Sequence, residues 1–196
     1  MSFFAASKSY SSITHVLDST CHVVLPACTS LMSSLAASLK DPSNCGTDLQ
    51  RQNPVVQQAY SGLVAYPPLY QASCLRNPQT NHYCFADAVT NMSSPSDSYT
   101  YYLPLGMQLP SGSMLTCSSC LQQTMGIFDA AAANRTQPVS AVYSQAAQLI
   151  DLGCGPAFVN QTVPQSTSLG FRQRPPLPLG VSVAIVATMA AFVQTL

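Results

Sequence analysis

Cys117-x-x-Cys120 has the spacing that both redox and zinc chemistry use. A zinc site needs two further ligands, and the chain holds no second Cys-x-x-Cys and no His-x-x-x-His. A redox pair belongs at the start of a helix that follows a strand, whereas here the pair falls inside a helical pattern. The plainer reading is a structural pair, each cysteine bonded elsewhere or the two to one another. His15, His22 and His82 stand apart, with no carboxylate at a spacing that marks a dyad. Serines are too numerous to single out a nucleophile, and Gly-x-Ser-x-Gly is absent. The seven aspartates, Asp18, Asp41, Asp48, Asp87, Asp97, Asp129 and Asp151, are scattered, and there is no glutamate. A pair of opposed carboxylates for glycoside hydrolysis is therefore not legible. Asp87, inside the apolar run 84–89, is expected to be partly buried, as a helix cap or bonded to backbone amides. Tyr60, Tyr66, Tyr70, Tyr99, Tyr101 and Tyr102 read as packing rather than a carbohydrate platform. The expectation is no catalytic residue, no metal and no cofactor.

The elements that would position these residues are helical. Phe3, Phe4, Ile13, Val16 and Leu17 predict a first helix running to about Ser19. Pro26 suits the first turn of a second, with Cys28, Met32, Leu35 and Leu39 on one face, ended by Asp41-Pro42. Asn53-Pro54 is an N-cap followed by a first-turn proline, opening a helix through Leu63 that Pro67-Pro68 stops. Short helices follow around Leu69 to Cys74 and over 83–91. Residues 93–98 read as loop, and 99–105 (YTYYLPL) as the one strand-like stretch, kept short by Pro104. Ser113 would cap the longest helix, through Cys117, Leu121, Met125 and Phe128. Pro138 would open the last, with Val142, Ala146, Leu149 and Ile150 on its apolar face and Gly153 as a left-handed stop. The fold class expected is all-α: a compact disulfide-braced bundle of about six to eight short helices over 1–158. A disordered linker over 159–179 and a hydrophobic tail helix over 180–196 would follow.

Composition bounds the class of protein. Charged residues are 7% of the chain against roughly 25% in ordinary soluble domains. The 7 basic and 7 acidic residues balance. Nucleic-acid binding needs clustered lysine and arginine to neutralise phosphates, so that partner class is excluded. Cys21, Cys28, Cys45, Cys74, Cys84, Cys117, Cys120 and Cys154 form an even set, which points to disulfides and an oxidising compartment. Cys74 and Cys84 flank the Asn77-Pro78 turn and are expected to bridge. Sequons at Asn91, Asn134 and Asn160 agree with passage through the secretory pathway.

The chain's two ends carry opposite signals. Residues 180–196 are apolar and uncharged; a helix of that length spans roughly 25 Å, short of a bilayer core of about 30 Å. No lysine or arginine follows it to hold a cytoplasmic end. Small residues at Ser166, Thr167 and Ser168, then a spacer over 169–179, then this tail, make the pattern of a GPI-attachment signal. Asn160 is a further attachment candidate, and a terminal membrane span is the alternative reading of the tail. At the other end the apolar run Phe3 to Ala6 stops at Ser7-Lys8, too short for a signal peptide. The expectation is that the start of this sequence is missing.

Several stretches carry a resemblance: Asn44-Cys45-Gly46, Asn53-Pro54-Val55-Val56, Tyr66-Pro67-Pro68-Leu69-Tyr70, Tyr83-Cys84-Phe85-Ala86-Asp87-Ala88, Tyr102-Leu103-Pro104-Leu105-Gly106 and Cys154-Gly155-Pro156. Over 44–159 the chain resembles an uncharacterised fungal family of secreted proteins that often end in GPI-anchor signals. The resemblance implies location and lineage, not mechanism. It also implies further residues, cysteines among them, upstream of a segment like Ser2-Phe3-Phe4, and hence a cysteine here without its partner. The function expected is a GPI-anchored fungal surface or wall glycoprotein in a structural or interaction role. Its partners would be the outer leaflet of the plasma membrane through the anchor, wall polysaccharide, or surface proteins. The alternatives are a helical domain that binds a small apolar ligand such as a lipid or sterol, and a secreted enzyme.

Overall fold

Proline and small polar residues set the helix boundaries. The computed structural model describes residues 3–163, which form nine α-helices and two 3-10 segments. No strand occurs among the described residues; one isolated antiparallel bridge joins Arg76 and Tyr83.

The predicted first helix is two: α1 (Phe3–Ala6) and α2 (Tyr10–Thr20). Ser7 Oγ donates to the Phe4 carbonyl at 3.0 Å, and Ser9 is extended at φ −135°. Serine offers the backbone local bonds that compete with helix continuation. The helix α3 (Leu25–Leu39) has Pro26 in its first turn, as read. The five-residue α4 (Gly46–Gln50) went unread, because one turn shows no periodicity. Gly46 sits there because a Cβ would come within 2.3 Å of the Lys40 carbonyl oxygen. In α5 (Pro54–Val64) the Asn53 side chain accepts from Val55 N–H at 3.0 Å, the N-cap the sequence predicts. Pro67 and Pro68 do not stop α5; they occupy the first turn of α6 (Tyr66–Ser73), where a missing N–H costs nothing.

After α7 (Cys84–Thr90), the stretch read as loop and strand is a 3-10 helix, Pro95–Leu105. Its buried residues are Thr100, Tyr101, Leu103 and Pro104, so 100 with 103 and 101 with 104 share a side at three residues per turn. A lone strand would leave its amides unpaired; the 3-10 ladder satisfies them locally. The longest expected helix starts later than predicted. Ser113 turns back on Pro110, whose carbonyl accepts from its hydroxyl at 2.7 Å, and Ser118 caps α8 (Ser119–Ala132), accepting from Leu121 N–H at 3.2 Å. Pro138 opens a short 3-10 turn (Pro138–Ala141) before α9 (Tyr143–Cys154). Gly153 stays helical; the stop is Gly155 at φ +104°, a conformation side-chain-bearing residues rarely adopt.

The core gathers around α8, whose Leu121, Thr124, Met125, Phe128 and Ala132 are buried at spacings of three and four. Tyr143, Ile13, Leu103, Ile150 and Val139 close over it. Phe85, Tyr101 and Phe128 make an edge-to-face ladder, with centroids 4.8 Å and 6.5 Å apart. α3 and α5 pack on one another at the edge of the domain; α3 buries only Ala36 and α5 nothing. Leu31, Leu35 and Val55 are exposed there.

Three disulfides cross this assembly: Cys21–Cys74, Cys84–Cys120 and Cys117–Cys154. The Cys74–Cys84 bridge expected from the turn does not form. Arg76 pairs with Tyr83, and Cys84 N–H donates to the Leu75 carbonyl at 2.9 Å, so the register sets Cys84 opposite Leu75 rather than Cys74. Cys74 ends α6 and meets Cys21 after α2, while Cys84 opens α7 and meets Cys120 of α8. Cys28 and Cys45 are free thiols, both half-buried. Val159 is buried and Gln161 bonds Asp151, so packed chain runs on into the start of the predicted linker over 159–179.

Candidate functional site

A cleft of about 190 Å³ with a mixed polar and apolar lining opens between α7, the 3-10 segment Pro95–Leu105, the chain before α8 and α8 itself. α7 delivers Asp87 one turn above its Cys84, whose bridge to Cys120 joins α7 to α8 at the cleft wall. Asn91 ends α7 in extended conformation and turns its amide towards the 3-10 segment. Asp97, from the first turn of that segment, is the hub. Its Oδ2 accepts from Asn91 Nδ2 at 2.8 Å; its Oδ1 accepts from Thr116 N–H at 2.7 Å and from Ser94 Oγ at 3.2 Å. Asn91 Nδ2 also donates to Thr116 Oγ1 at 3.1 Å, and Asn91 Oδ1 accepts from the amides of Ser93 and Ser94. The Ser94 hydroxyl also bonds the Met114 carbonyl. Both oxygens of Asp97 are thus engaged within the fold, and the carboxylate acts as a latch between three segments.

At the cleft's back wall, the Tyr101 hydroxyl lies 3.5 Å from Thr124 Oγ1. Burial pushes the Tyr101 phenol well above its ordinary range; the Thr124 bond opposes this, and the charges of Asp87 and Asp97 add to it. Asp87 is half-buried, as expected, but its carboxylate meets His82 instead of capping backbone amides. Sequence spacing hid this pair: His82 Nδ1 lies 3.5 Å from Asp87 Oδ1, across the turn into α7. The Tyr10 ring tilts against His82 with centroids 5.2 Å apart. Its phenol is raised by burial first and by the Asp87 charge second.

A second, more open hollow of about 460 Å³ lies between α8, α9 and the segment after Gly155. Asp151, 7% exposed, organises it by accepting from Val159 N–H at 2.9 Å, Ala157 N–H at 3.2 Å and Gln161 Nε2 at 2.6 Å. Burial raises its pKa, but the donors from Val159, Gln161, Ala157 and Phe158 outweigh burial and hold it below the usual carboxylate range. Asn160 Nδ2 donates to Asp129 Oδ2 and to the Thr162 carbonyl, both at 2.9 Å, and the Tyr143 hydroxyl donates to the Asn160 carbonyl at 2.7 Å.

Among the described residues no histidine ring bonds a serine, threonine or cysteine side chain; the His22 ring bonds the Asp18 carbonyl. Among the described residues no three His, Cys and Asp side chains come together as a metal cage. Cys117 and Cys120 bond elsewhere, to Cys154 and Cys84. Tyr101 is buried in the aromatic ladder and the Tyr70 hydroxyl donates to the Cys21 carbonyl at 2.9 Å, while Tyr99 and Tyr102 are each 41% exposed. Of the sequons, Asn91 ends α7, Asn134 lies in the turn between α8 and Pro138, and Asn160 follows Val159. The attachment candidates Ser166, Thr167 and Ser168, the spacer and the tail over 180–196 lie outside the described residues. Sequence reasoning missed the two organising carboxylates, Asp97 and Asp151. Asp97 carried one local signal, as an acidic residue in the first turn after Ser94-Pro95.

A family described as a domain of unknown function (DUF7729) matches residues 1–163. No curated protein and no solved structure matches the chain.

Proposed function

Since the chain belongs to that family, whose description assigns no activity, we propose a function from the fold's own chemistry: a non-enzymatic glycoprotein of the outer surface or wall of a fungal cell, lipid-anchored, with a structural or interaction role. The observation that carries this reading is the placement of the three disulfides. They tie α2 to the end of α6, α7 to α8, and the entry of α8 to the end of α9. Bridges of this kind persist in oxidising compartments. The low charge of the chain fits the same setting, where attached sugar supplies the missing polarity. The anchor rests on the small residues, spacer and apolar tail beyond the described residues.

The alternatives draw less support. A lipid or sterol binder needs an apolar cavity. The cleft and the hollow have mixed linings: Asp87, Asn91, Asp97 and Thr116 beside Ala88, Tyr101 and Leu121 in the first, and Asp151, Asn160 and Gln161 beside Tyr143, Phe158 and Val159 in the second. A secreted enzyme needs converging acid, base or nucleophile, and the Asp97 oxygens are already bonded within the fold. The test is to express the full-length product with an epitope inside the helical domain and treat intact cells with a phosphatidylinositol-specific phospholipase. Release of the tagged species supports the reading. Retention inside the cell with reduced thiols overturns it.

A further inference from the structure

All three sequons present an asparagine followed two residues on by Ser or Thr, so the motif alone does not rank them. The fold does. An asparagine amide has two N–H donors, and an N-linked sugar replaces one hydrogen and occupies the space beyond it.

At Asn91 both donors are committed, to Asp97 Oδ2 at 2.8 Å and Thr116 Oγ1 at 3.1 Å, on the wall of the cleft. A sugar there would break the latch that joins α7, the 3-10 segment and the chain before α8. At Asn160 both donors are again committed, to Asp129 Oδ2 and the Thr162 carbonyl, each at 2.9 Å. Asp129 depends on that bond, because its other oxygen is buried with no hydrogen-bond partner. A sugar in place of the hydrogen that faces Asp129 would leave a partly buried carboxylate without a donor. Asn134 differs. Its Oδ1 accepts from Thr136 N–H at 3.0 Å and Thr136 Oγ1 at 2.8 Å, which holds the turn, while its Nδ2 donates to nothing among the described residues. Asn134, Arg135 and Thr136 are all exposed, as are Asn160, Gln161 and Thr162, so it is the uncommitted amide hydrogens that set Asn134 apart.

We infer that Asn134 is the residue that carries an N-linked glycan in the folded protein, and that Asn91 and Asn160 are structural asparagines within accidental sequons. The inference rests on the secretory reading above. A sugar attached to Asn91 or Asn160 during synthesis would prevent the native bonds from closing, so the folded, fully bridged population carries sugar at Asn134 alone.

The test is site occupancy in the full chain. Folded protein is isolated from eukaryotic cells and treated with peptide N-glycosidase in heavy-oxygen water. Mass spectrometry then reads which asparagines have become labelled aspartate. A parallel arm places a cleavable secretory leader before the same chain, so occupancy is read whatever the chain's own targeting. The expected result is label at Asn134 only, one glycosidase-sensitive step in gel mobility, and loss of that step in Asn134→Gln but not in Asn91→Gln or Asn160→Gln. Label at Asn91 or Asn160 in folded protein, or a secreted and bridged protein bare at Asn134, overturns the inference and leaves the secretory reading standing. Cytosolic retention of the full-length product without an added leader, together with label at Asn134 in the leader arm, overturns the secretory reading and leaves the geometric argument intact.

Discussion

The Cys84–Cys120 bridge joins α7 to α8 at the wall of the cleft, and both residues are nearly inaccessible, 1% and 9% exposed. Replacing both with alanine removes the link without leaving an odd thiol. The bridge closes a loop with a sequence separation of 36. Loop-closure entropy for a ring of that size is worth roughly 4 kcal/mol at room temperature. For a domain of this length that corresponds to a fall in Tm of about 8–16 °C, at about 2–4 °C per kcal/mol. Urea unfolding under non-reducing conditions reads the same quantity, and its slope should steepen because the released unfolded chain exposes more surface. The reference is Cys28→Ser with Cys45→Ser, which touches two thiols that close no loop. That pair should shift stability by less than about 0.5 kcal/mol. A loss under about 1 kcal/mol for the bridge variant, or an equal loss in the reference pair, would refute the reasoning.

Alkylation of denatured but unreduced protein should label two cysteines, Cys28 and Cys45, and reduction beforehand should expose all eight; mass spectrometry of the labelled peptides decides. Gly46→Ala should cost about 1–3 kcal/mol in chemical denaturation, because the new Cβ meets the Lys40 and Asp41 backbone at 2.3–2.9 Å and no side chain can move aside. Asp151→Asn should cost about 2 kcal/mol at neutral pH, since a charged acceptor of three bonds becomes neutral and one of its positions becomes a donor. The folded pKa of Asp151 lies below its unfolded value, so its contribution is full above the ordinary aspartate range and is lost as pH falls through the folded value. Wild type should therefore lose stability from about pH 4 downward, and the variant should show a flatter acid limb in a pH series of thermal melts.

Much of the architecture was legible because it depends on near neighbours in the chain. Asn53-Pro54 and Pro26 start helices through a side-chain cap and a fixed φ, which need no tertiary partner. The apolar spacing of Leu121, Met125 and Phe128 marked the face of α8 that is buried. Other elements misled for equally local reasons. The run 99–105 has the aromatic content of a strand, but no second strand exists among the described residues to pair with it, and it winds into a 3-10 helix instead. Ser113 has the chemistry of a cap, yet it is spent on the Pro110 turn, and Ser118 takes the role.

The candidate site was less legible than the fold. Asp97 bonds residues three and six positions back and nineteen positions on, and no local pattern announces the last of these. The same holds for the sequons: the motif at 91, 134 and 160 is chemically equivalent as sequence, and only folded contacts separate an amide with both hydrogens committed from one open to solvent. By itself the sequence determined the helical class and the presence of disulfide-forming cysteines, because composition and short-range spacing suffice for each. Tertiary structure alone decided which cysteine meets which, which two stay free, and which carboxylates hold the packed segments together. The cysteine pairings depend on the register and direction of side chains 36 to 53 positions apart, a scale at which spacing along the chain carries no geometric information, and the Asp97 latch reaches 19 positions on to Thr116.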